Sequence, residues 1–137
     1  MSTPAEVYRR YMGAVMLCGL AAARECGLGA TDLYALSVLD LEGPMTPGEL
    51  SKHTGLTTGP TTRLIDRLEQ AGYVRRVPDP GDRRKVIVEQ VGKPKELDAA
   101  LEPARQRVAA VIQSYSKDEQ KVLLDYFERA AEAFRGA

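Results

Sequence analysis

The sequence predicts a mostly α-helical protein with one small β-hairpin, arranged as a winged helix-turn-helix with further helices on both sides. Three observations support this fold class. Apolar residues recur at helical spacing in several capped segments, a glycine turn at Gly55 separates two short helices, and two β-rich segments flank an exposed turn at 78–81. Two short helices followed at once by a hairpin are the order of elements in a winged helix-turn-helix.

Length and composition indicate one globular domain spanning residues 1–137. The chain has 137 residues, a length that is enough to bury a core. Its 44% of hydrophobic and 28% of charged residues are typical of globular proteins. No segment approaches the roughly 20 consecutive apolar residues that a membrane-spanning helix requires. The first ten residues have no apolar block behind a basic start, so no signal peptide is expected. We therefore expect a cytoplasmic protein without a membrane partner.

Two helices are expected before the helix-turn-helix. From Pro4 to Cys26, apolar residues at spacings of three and four predict a first helix with an unusually broad apolar face. A face this broad favours burial against more than one neighbour. A second helix is expected from Thr31, a favourable N-cap, until Gly43 and Pro44 end it.

The two helices of the helix-turn-helix are expected next. Segment 46–49 combines a threonine cap, a proline and a glutamate, which predicts a short helix ending near 54–55. Thr57 is expected to cap a fourth helix that reaches about Ala71. The predicted inner face of this helix consists of Leu64, Ile65 and Leu68.

A hairpin and two further helices complete the expected order. The segments Val74–Val77 and Lys85–Glu89 are rich in β-branched residues and predict two strands. A fifth helix is expected over about Lys93–Tyr115. The segment Ser116–Glu119 is a capping box, and it predicts a sixth helix running to about Phe134.

Basic residues are concentrated in the predicted helix-turn-helix and hairpin. Between Lys52 and Lys93 the sequence holds nine basic and five acidic residues, a net charge of +4. The rest holds ten basic and fourteen acidic residues, so the formal net charge of the whole chain is zero. Because a local field rather than the net charge attracts a polyanion, this segment is a candidate surface for nucleic acid.

The start of the fourth helix has the composition of a DNA-reading surface. In a helix-turn-helix, the second helix enters the major groove of DNA and presents its N-terminal residues to base edges. The candidate contacts are Thr57, Thr58, Gly59, Thr61, Thr62 and Arg63. Threonine offers a hydroxyl to a phosphate or base and a methyl to thymine, and Arg63 is the candidate for guanine. Arg67 is expected to contact phosphate or to pair with Asp66 or Glu69.

The tip of the hairpin is a second candidate contact, although a solubilising charged turn is the alternative. Arg84 on a narrow protrusion suits the minor groove, where negative potential is enhanced. Asp82, two residues earlier, is expected to hold the guanidinium of Arg84 in place. Further phosphate contacts are expected from Arg75, Arg76, Arg83 and Lys85.

Three segments give the chain a resemblance to a known family, the multiple-antibiotic-resistance regulators (MarR). They are Leu50–Leu56, Thr62–Val74 and Asp79–Arg84. The resemblance implies a homodimer that binds a pseudo-palindromic operator in double-stranded DNA, usually as a repressor. It also implies a DNA-binding lobe over residues 30–91, with dimerisation helices in 1–29 and 92–137.

The resemblance also raises the question of a small-molecule effector. Many members release DNA when a phenolic or other apolar ligand enters a crevice between the dimer helices and the DNA-binding lobe. Candidates to line such a crevice are Tyr8, Tyr11, Met12, Met16 and Tyr34. Their helical spacing is also typical of core or dimer packing, which is the favoured interpretation.

Other functional classes have less support. Cys18 and Cys26 lie eight positions apart on one predicted helix, about 12 Å along its axis, which is too far for a disulfide. An oxidant-sensing regulator that uses Cys18 remains an alternative, as does a winged-helix module that binds protein. The sequence offers no paired carboxylates, activated nucleophile or metal-ligand spacing, so we expect no enzyme, metal or cofactor.

Overall fold

The computed structural model describes residues 1–92 and 94–136, and it confirms the predicted fold class of helices with one antiparallel hairpin. The helices are α1 (Pro4–Glu25), α2 (Ala30–Glu42), α3 (Pro47–Thr54), α4 (Thr58–Gln70), α5 (Lys95–Gln113) and α6 (Lys117–Arg135). The strands are β1 (Val74–Pro78) and β2 (Val86–Gln90). The chain forms two compact units, Met1–Leu101 and Glu102–Ala137, and the boundary between them falls within α5.

The first unit buries its core between α2, α3, α4 and the base of the hairpin. Its largest fully buried side chains are Leu50, Leu64, Ile65, Leu68, Val74 and Val88. Three of these lie on α4 at spacings of one, three and four residues, so the predicted inner face of this helix is confirmed. Full burial of a side chain of this size stabilises the fold by about 2 kcal/mol.

Local caps determine where the helices of the helix-turn-helix begin. The Thr46 hydroxyl accepts a hydrogen bond from the Glu49 amide at 3.2 Å and donates to the Glu49 carboxylate at 3.1 Å, as the capping pattern predicted for α3. Thr57 occupies the N-cap position of α4, but its side chain caps no amide within the described part of the chain. The backbone of Thr57 is extended, and the helical conformation begins at the next residue, Thr58.

The predicted N-cap of α2, Thr31, is wrong by two positions. The helix begins at Ala30, with Gly29 as its N-cap. The carboxylate of Asp32 accepts a hydrogen bond from the Gly29 amide at 3.0 Å. Because Asp32 occupies the third helical position, it satisfies an amide that would otherwise lack a partner, and Thr31 is left inside the first turn.

The hairpin is anchored to the start of the helix-turn-helix. Its strands are antiparallel, and Val74 is opposite Gln90. The predicted second strand starts one residue early, because the Lys85 carbonyl accepts from the Asp79 amide within the turn. Met45 forms an isolated bridge with Val88, with hydrogen bonds of 3.1 and 2.7 Å, so the base of the hairpin is joined to the segment just before α3.

The last two helices follow the predicted order. The predicted start of α5 at Lys93 lies outside the described residues, and the helix ends at Gln113 rather than Tyr115. Before α6, the Ser116 hydroxyl accepts from the Glu119 amide at 3.1 Å, and the Ser116 amide donates to the Glu119 carboxylate at 2.8 Å. This reciprocal pair is the predicted capping box.

The first helix exposes most of its apolar residues. Met16 and Leu17 are 63% and 69% exposed, whereas the buried residues of α1 are Ala22 and Ala23 near its end.

Among the described residues, no single helix is long and apolar enough to cross a membrane. By length and composition, α1 and α2 meet that criterion only as a pair, with a bend of 98° between them.

Candidate nucleic-acid interface

A tight turn at Gly55 connects α3 to α4. Gly55 has a φ of 75°, in the left-handed region that glycine adopts without a steric penalty. Its amide donates to the Ser51 carbonyl at 2.9 Å, and the Ser51 hydroxyl donates to the Leu56 carbonyl. These bonds at both sides of the turn fix the direction in which α4 leaves it.

Most of the predicted contacts at the start of α4 are open to solvent. The exposed residues are Thr57, Thr58, Gly59, Thr62 and Arg63. Thr61 is only 3% exposed, so its prediction as a DNA contact is wrong. The physical reason is helical periodicity, because position 61 precedes Leu64, Ile65 and Leu68 by three, four and seven residues and shares their inward face.

The side chain of Arg63 lies over Gly59. A Cβ atom added at Gly59 would lie 3.5 Å from Nη1 of Arg63, an ordinary van der Waals contact. Long side chains on helices point toward the N-terminus, and here the guanidinium reaches the end of the helix that would approach DNA. The Thr62 hydroxyl donates to the Thr58 carbonyl at 3.0 Å, so this exposed oxygen is left to accept hydrogen bonds.

Arg67 is part of an ion pair, but with a different acid from those predicted. Its Nη2 lies 2.9 Å from Oδ1 of Asp32, at the start of α2. The Asp32 side chain is 9% exposed and that of Arg67 is 56% exposed. The predicted partners Asp66 and Glu69 instead bind Arg76. The ion pair therefore ties the polar side of α4 to the first turn of α2.

The turn at the tip of the hairpin is built by two aspartates. The Asp79 carboxylate accepts from the Gly81 amide at 2.8 Å, and the Asp82 carboxylate accepts from the Arg84 amide at 3.0 Å. These local bonds order the turn from within, which is the role that Asp side chains commonly have in turns. Arg83 and Lys85 are exposed on either side of Arg84.

The carboxylate of Asp82 holds Arg84 as predicted. Its Oδ1 accepts from the Arg84 amide at 3.0 Å and from Nε at 3.2 Å, and its Oδ2 lies 3.4 Å from Nη2. The side-chain and backbone hydrogen bonds from Arg84 lower the pKa of Asp82 below its ordinary value. The Arg84 side chain is nevertheless 91% exposed, so its guanidinium is oriented without being covered.

The two arginines of β1 have different partners. Arg75 pairs with the carboxylate of Glu89, which is directly opposite on β2. Arg76 donates through Nη1 to Glu69 and through Nη2 to Asp66, each at 2.7 Å. Burial alone would lower the pKa of Arg76, but its hydrogen bonds to Asp66 and Glu69 raise the pKa above its ordinary value. Both arginines, predicted as phosphate contacts, therefore meet carboxylates within the protein.

Comparison with known proteins gives the family. The model of the MarR family matches residues 27–85, from the start of the loop before α2 to the hairpin tip. The uncharacterized HTH-type transcriptional regulator YcgE of Bacillus subtilis is 38% identical over 131 residues, which cover 95% of this chain and 85% of YcgE. The chain belongs to the MarR family. The matched segment contains α4, Asp82 and Arg84.

Solved structures show that the MarR-family fold extends over nearly the whole chain. A MarR family protein from Bacillus stearothermophilus is 27% identical, with a TM-score of 0.72 over 96% of this chain and 93% of that chain. A mutant of S. aureus MepR bound to an oligodeoxyribonucleotide is 13% identical, with a TM-score of 0.66 over 98% of this chain and 99% of that chain. At that identity, the likeness concerns the fold alone.

The candidate effector residues of this MarR-family protein lie on α1 and α2. Tyr11, Met12, Met16 and Tyr34 are between 40% and 63% exposed, and Tyr8 is half-buried. Cys18 and Cys26 are both free thiols of intermediate exposure. Burial raises the pKa of the Cys26 thiol, and the charges of Glu96 and Glu25 add to that effect. Within 1–92 and 94–136, no three His, Cys, Asp or Glu side chains are grouped to hold a metal ion.

Proposed function

We propose that this MarR-family protein is a transcriptional repressor that binds double-stranded DNA as a homodimer. The observation that carries the proposal is the pairing of Asp82 with Arg84 at the hairpin tip. An arginine that is ordered by a neighbouring carboxylate and yet 91% exposed loses little side-chain entropy when it docks. The narrow minor groove is the ligand that suits such a protruding guanidinium.

The start of α4 supplies the second contact in this proposal. Thr58, Gly59, Thr62 and Arg63 are exposed on the helix that would lie in the major groove. Gly59 keeps the backbone accessible, and Arg63 reaches over it toward the end of the helix. Arg63 is the candidate for bidentate donation to guanine, and Thr58 is the candidate for donation to a phosphate. Thr62, whose hydroxyl donates to the Thr58 carbonyl, is the candidate for contact with a thymine methyl.

The relatives support the same function. YcgE is named as an HTH-type transcriptional regulator, and the MepR structure contains an oligodeoxyribonucleotide. We transfer DNA binding to this chain from the MarR family, because α4 and the hairpin tip lie within the segment that matches the family. Repression follows physically if the operator overlaps a promoter, since a bound dimer occludes that DNA.

The proposed dimer is supported by apolar side chains exposed on separate helices. Met16 and Leu17 are more than 60% exposed on α1, and Val122 and Phe134 are about 70% exposed on α6. Exposed apolar surface of this kind marks an association site, and a second copy of the chain is the partner that gives two-fold symmetry. A two-fold dimer would present its α4 helices to two half-sites of a pseudo-palindromic operator.

An apolar or phenolic effector is a further part of the proposal. Tyr11, Met12 and Met16 on α1, with Tyr34 on α2, provide aromatic and thioether surface of the kind that binds such molecules. The test is to titrate a simple phenol into the protein–DNA complex and to measure release of the duplex. Release at concentrations that leave the protein folded supports an effector role, and unchanged binding contradicts it.

Two experiments test DNA binding itself. The first selects bound duplexes from a random pool, and the second measures the affinity for the selected duplex over a range of salt concentrations. We expect a recovered site with two related half-sites, and an affinity that falls steeply with salt as counterions are released. A purified, folded protein that binds no duplex at low salt would contradict the proposal. It would favour a winged-helix module that binds another protein.

A further inference from the structure

Arg76 connects the hairpin to α4 through three hydrogen bonds. Its Nη1 donates to Glu69 and its Nη2 donates to Asp66, each at 2.7 Å. Its backbone amide donates to the other oxygen of Glu69 at 3.1 Å. The two acids lie three residues apart and therefore share one face of α4. We name these contacts the Arg76 clamp.

The register of the hairpin directs Arg76 toward α4. Arg76 is directly opposite Val88, which is fully buried, and it lies two residues after the buried Val74. Alternate residues of a strand face the same side, so Arg76 continues the inward row of β1 at the edge of the core. Its side chain is 27% exposed, whereas that of Arg75, on the opposite face, is 64% exposed.

We propose that Arg76 is a positioning residue that holds the hairpin against α4, so that Arg84 and Arg63 reach the two grooves of one half-site together. This inference rests on the proposed DNA-binding function. A protein that reads two grooves must keep a fixed spacing between its two contacts, and rigidity before binding lowers the entropy lost on docking. The Arg76 clamp supplies that rigidity between one helix and one strand. Arg76 is therefore not a phosphate contact, because both of its terminal nitrogens already donate to carboxylates.

The first test removes the acids instead of the arginine. In the variant Asp66→Ala/Glu69→Ala, the guanidinium of Arg76 is released and the local charge rises by two, while alanine preserves the helix. If Arg76 acted on phosphate, this variant would bind every duplex more tightly. We expect instead that affinity for a selected operator falls about fivefold or more as preorganisation is lost. Unchanged or higher affinity for that operator would overturn the proposal.

The second test is a thermodynamic cycle between Arg76 and Arg84. Arg76→Ala changes local charge in the opposite direction from the acid variant, yet we expect it also to weaken operator binding. If Arg76 acts through the position of the hairpin tip, its replacement costs about twofold or less once Arg84 is already alanine. Equal losses in both backgrounds would overturn the proposal. Arg75→Ala is the matched control for the loss of one positive charge, since Arg75 pairs with Glu89 inside the hairpin and does not hold it to α4. Any phosphate contact that Arg75 makes should be lost equally whether residue 84 is arginine or alanine.

A third measurement separates this inference from DNA binding. Backbone ¹⁵N relaxation of the protein without DNA reports the motion of the hairpin tip directly. We expect larger tip motion in Arg76→Ala and in Asp66→Ala/Glu69→Ala than in Arg75→Ala, with α4 still helical. Unchanged tip motion in the first two variants would overturn the clamp. Failure of the wild-type protein to bind any duplex would overturn the proposed function and leave the ¹⁵N result to decide whether the clamp exists.

Discussion

The guanidinium of Arg67 on α4 lies 2.9 Å from the carboxylate of Asp32 on α2. Asp32 also accepts the Gly29 amide at 3.0 Å, so one nearly buried carboxylate caps α2 and binds α4 at the same time. The ion pair spans 35 residues of sequence, and it fixes the polar side of α4 while Leu64 and Leu68 fix its apolar side. The orientation of α4 therefore depends on both kinds of contact.

The first prediction concerns the coupling between Arg67 and Asp32. We expect Arg67→Ala to lower the free energy of unfolding by about 1–3 kcal/mol, because it leaves the Asp32 carboxylate without its cation. In an Asp32→Ala background the same change should cost about 1 kcal/mol less, since no buried acid remains. Urea denaturation of the four proteins measures this coupling. Strictly additive losses would show that the ion pair does not stabilise the fold, and Arg63→Ala, an exposed arginine on the same helix, is the control.

The second prediction distinguishes the two adjacent arginines at the hairpin tip. Arg84→Ala should weaken binding to the selected operator by about 1–3 kcal/mol, because the guanidinium that Asp82 orients is lost. Arg83→Ala should weaken binding to all duplexes similarly and reduce the slope of log affinity against log salt by about one, as expected for a phosphate contact. Fluorescence anisotropy at several salt concentrations measures both effects. Equal effects of the two variants on operator and random DNA would contradict the assignment of Arg84 to the minor groove.

The third prediction is the acid dependence of the hairpin tip. Hydrogen bonds from Arg84 lower the pKa of Asp82 below its ordinary value of 3.8. A carboxylate with a depressed pKa contributes stability that is fully present above its unfolded value and is lost as the pH falls through the folded value. Carbonyl ¹³C titration should therefore place the midpoint of Asp82 below 3.8, and Arg84→Ala should raise it. An unchanged midpoint in Arg84→Ala would show that the pair does not form in solution.

Features that depend on neighbouring residues are predictable from the sequence. The cap at Thr46, the capping box at Ser116 and the pairing of Asp82 with Arg84 involve residues two or three positions apart. The buried face of α4 follows from the same short-range periodicity, which also assigns Thr61 to the inward side of the helix. The signal that Thr61 is buried lies in its three-residue spacing from Leu64.

Features that depend on packing between elements are not predictable in the same way. The sequence places Arg67 close to Asp66 and Glu69, but which arginine binds those acids depends on how β1 crosses α4. Asp32 gives no signal as a partner for Arg67, because its 35-residue separation leaves no local pattern. Pairings of this kind follow from tertiary geometry, which one sequence does not specify by spacing alone.

The last prediction concerns association through α6. Val122 and Tyr126 lie four residues apart on one face of this helix and are 69% and 53% exposed. If that face packs against a second copy, Val122→Glu should place a charge in the interface and shift the protein toward monomer, with weaker operator binding because only one half-site is held. Sedimentation velocity at micromolar concentration measures the shift, and Lys121→Glu, an exposed neighbour of the same helix, is the control. A wild-type protein that sediments as a folded monomer would contradict the dimer. If the Val122→Glu protein remains fully dimeric, the interface lies on another face, because a carboxylate buried at position 122 without a partner would be strongly unfavourable.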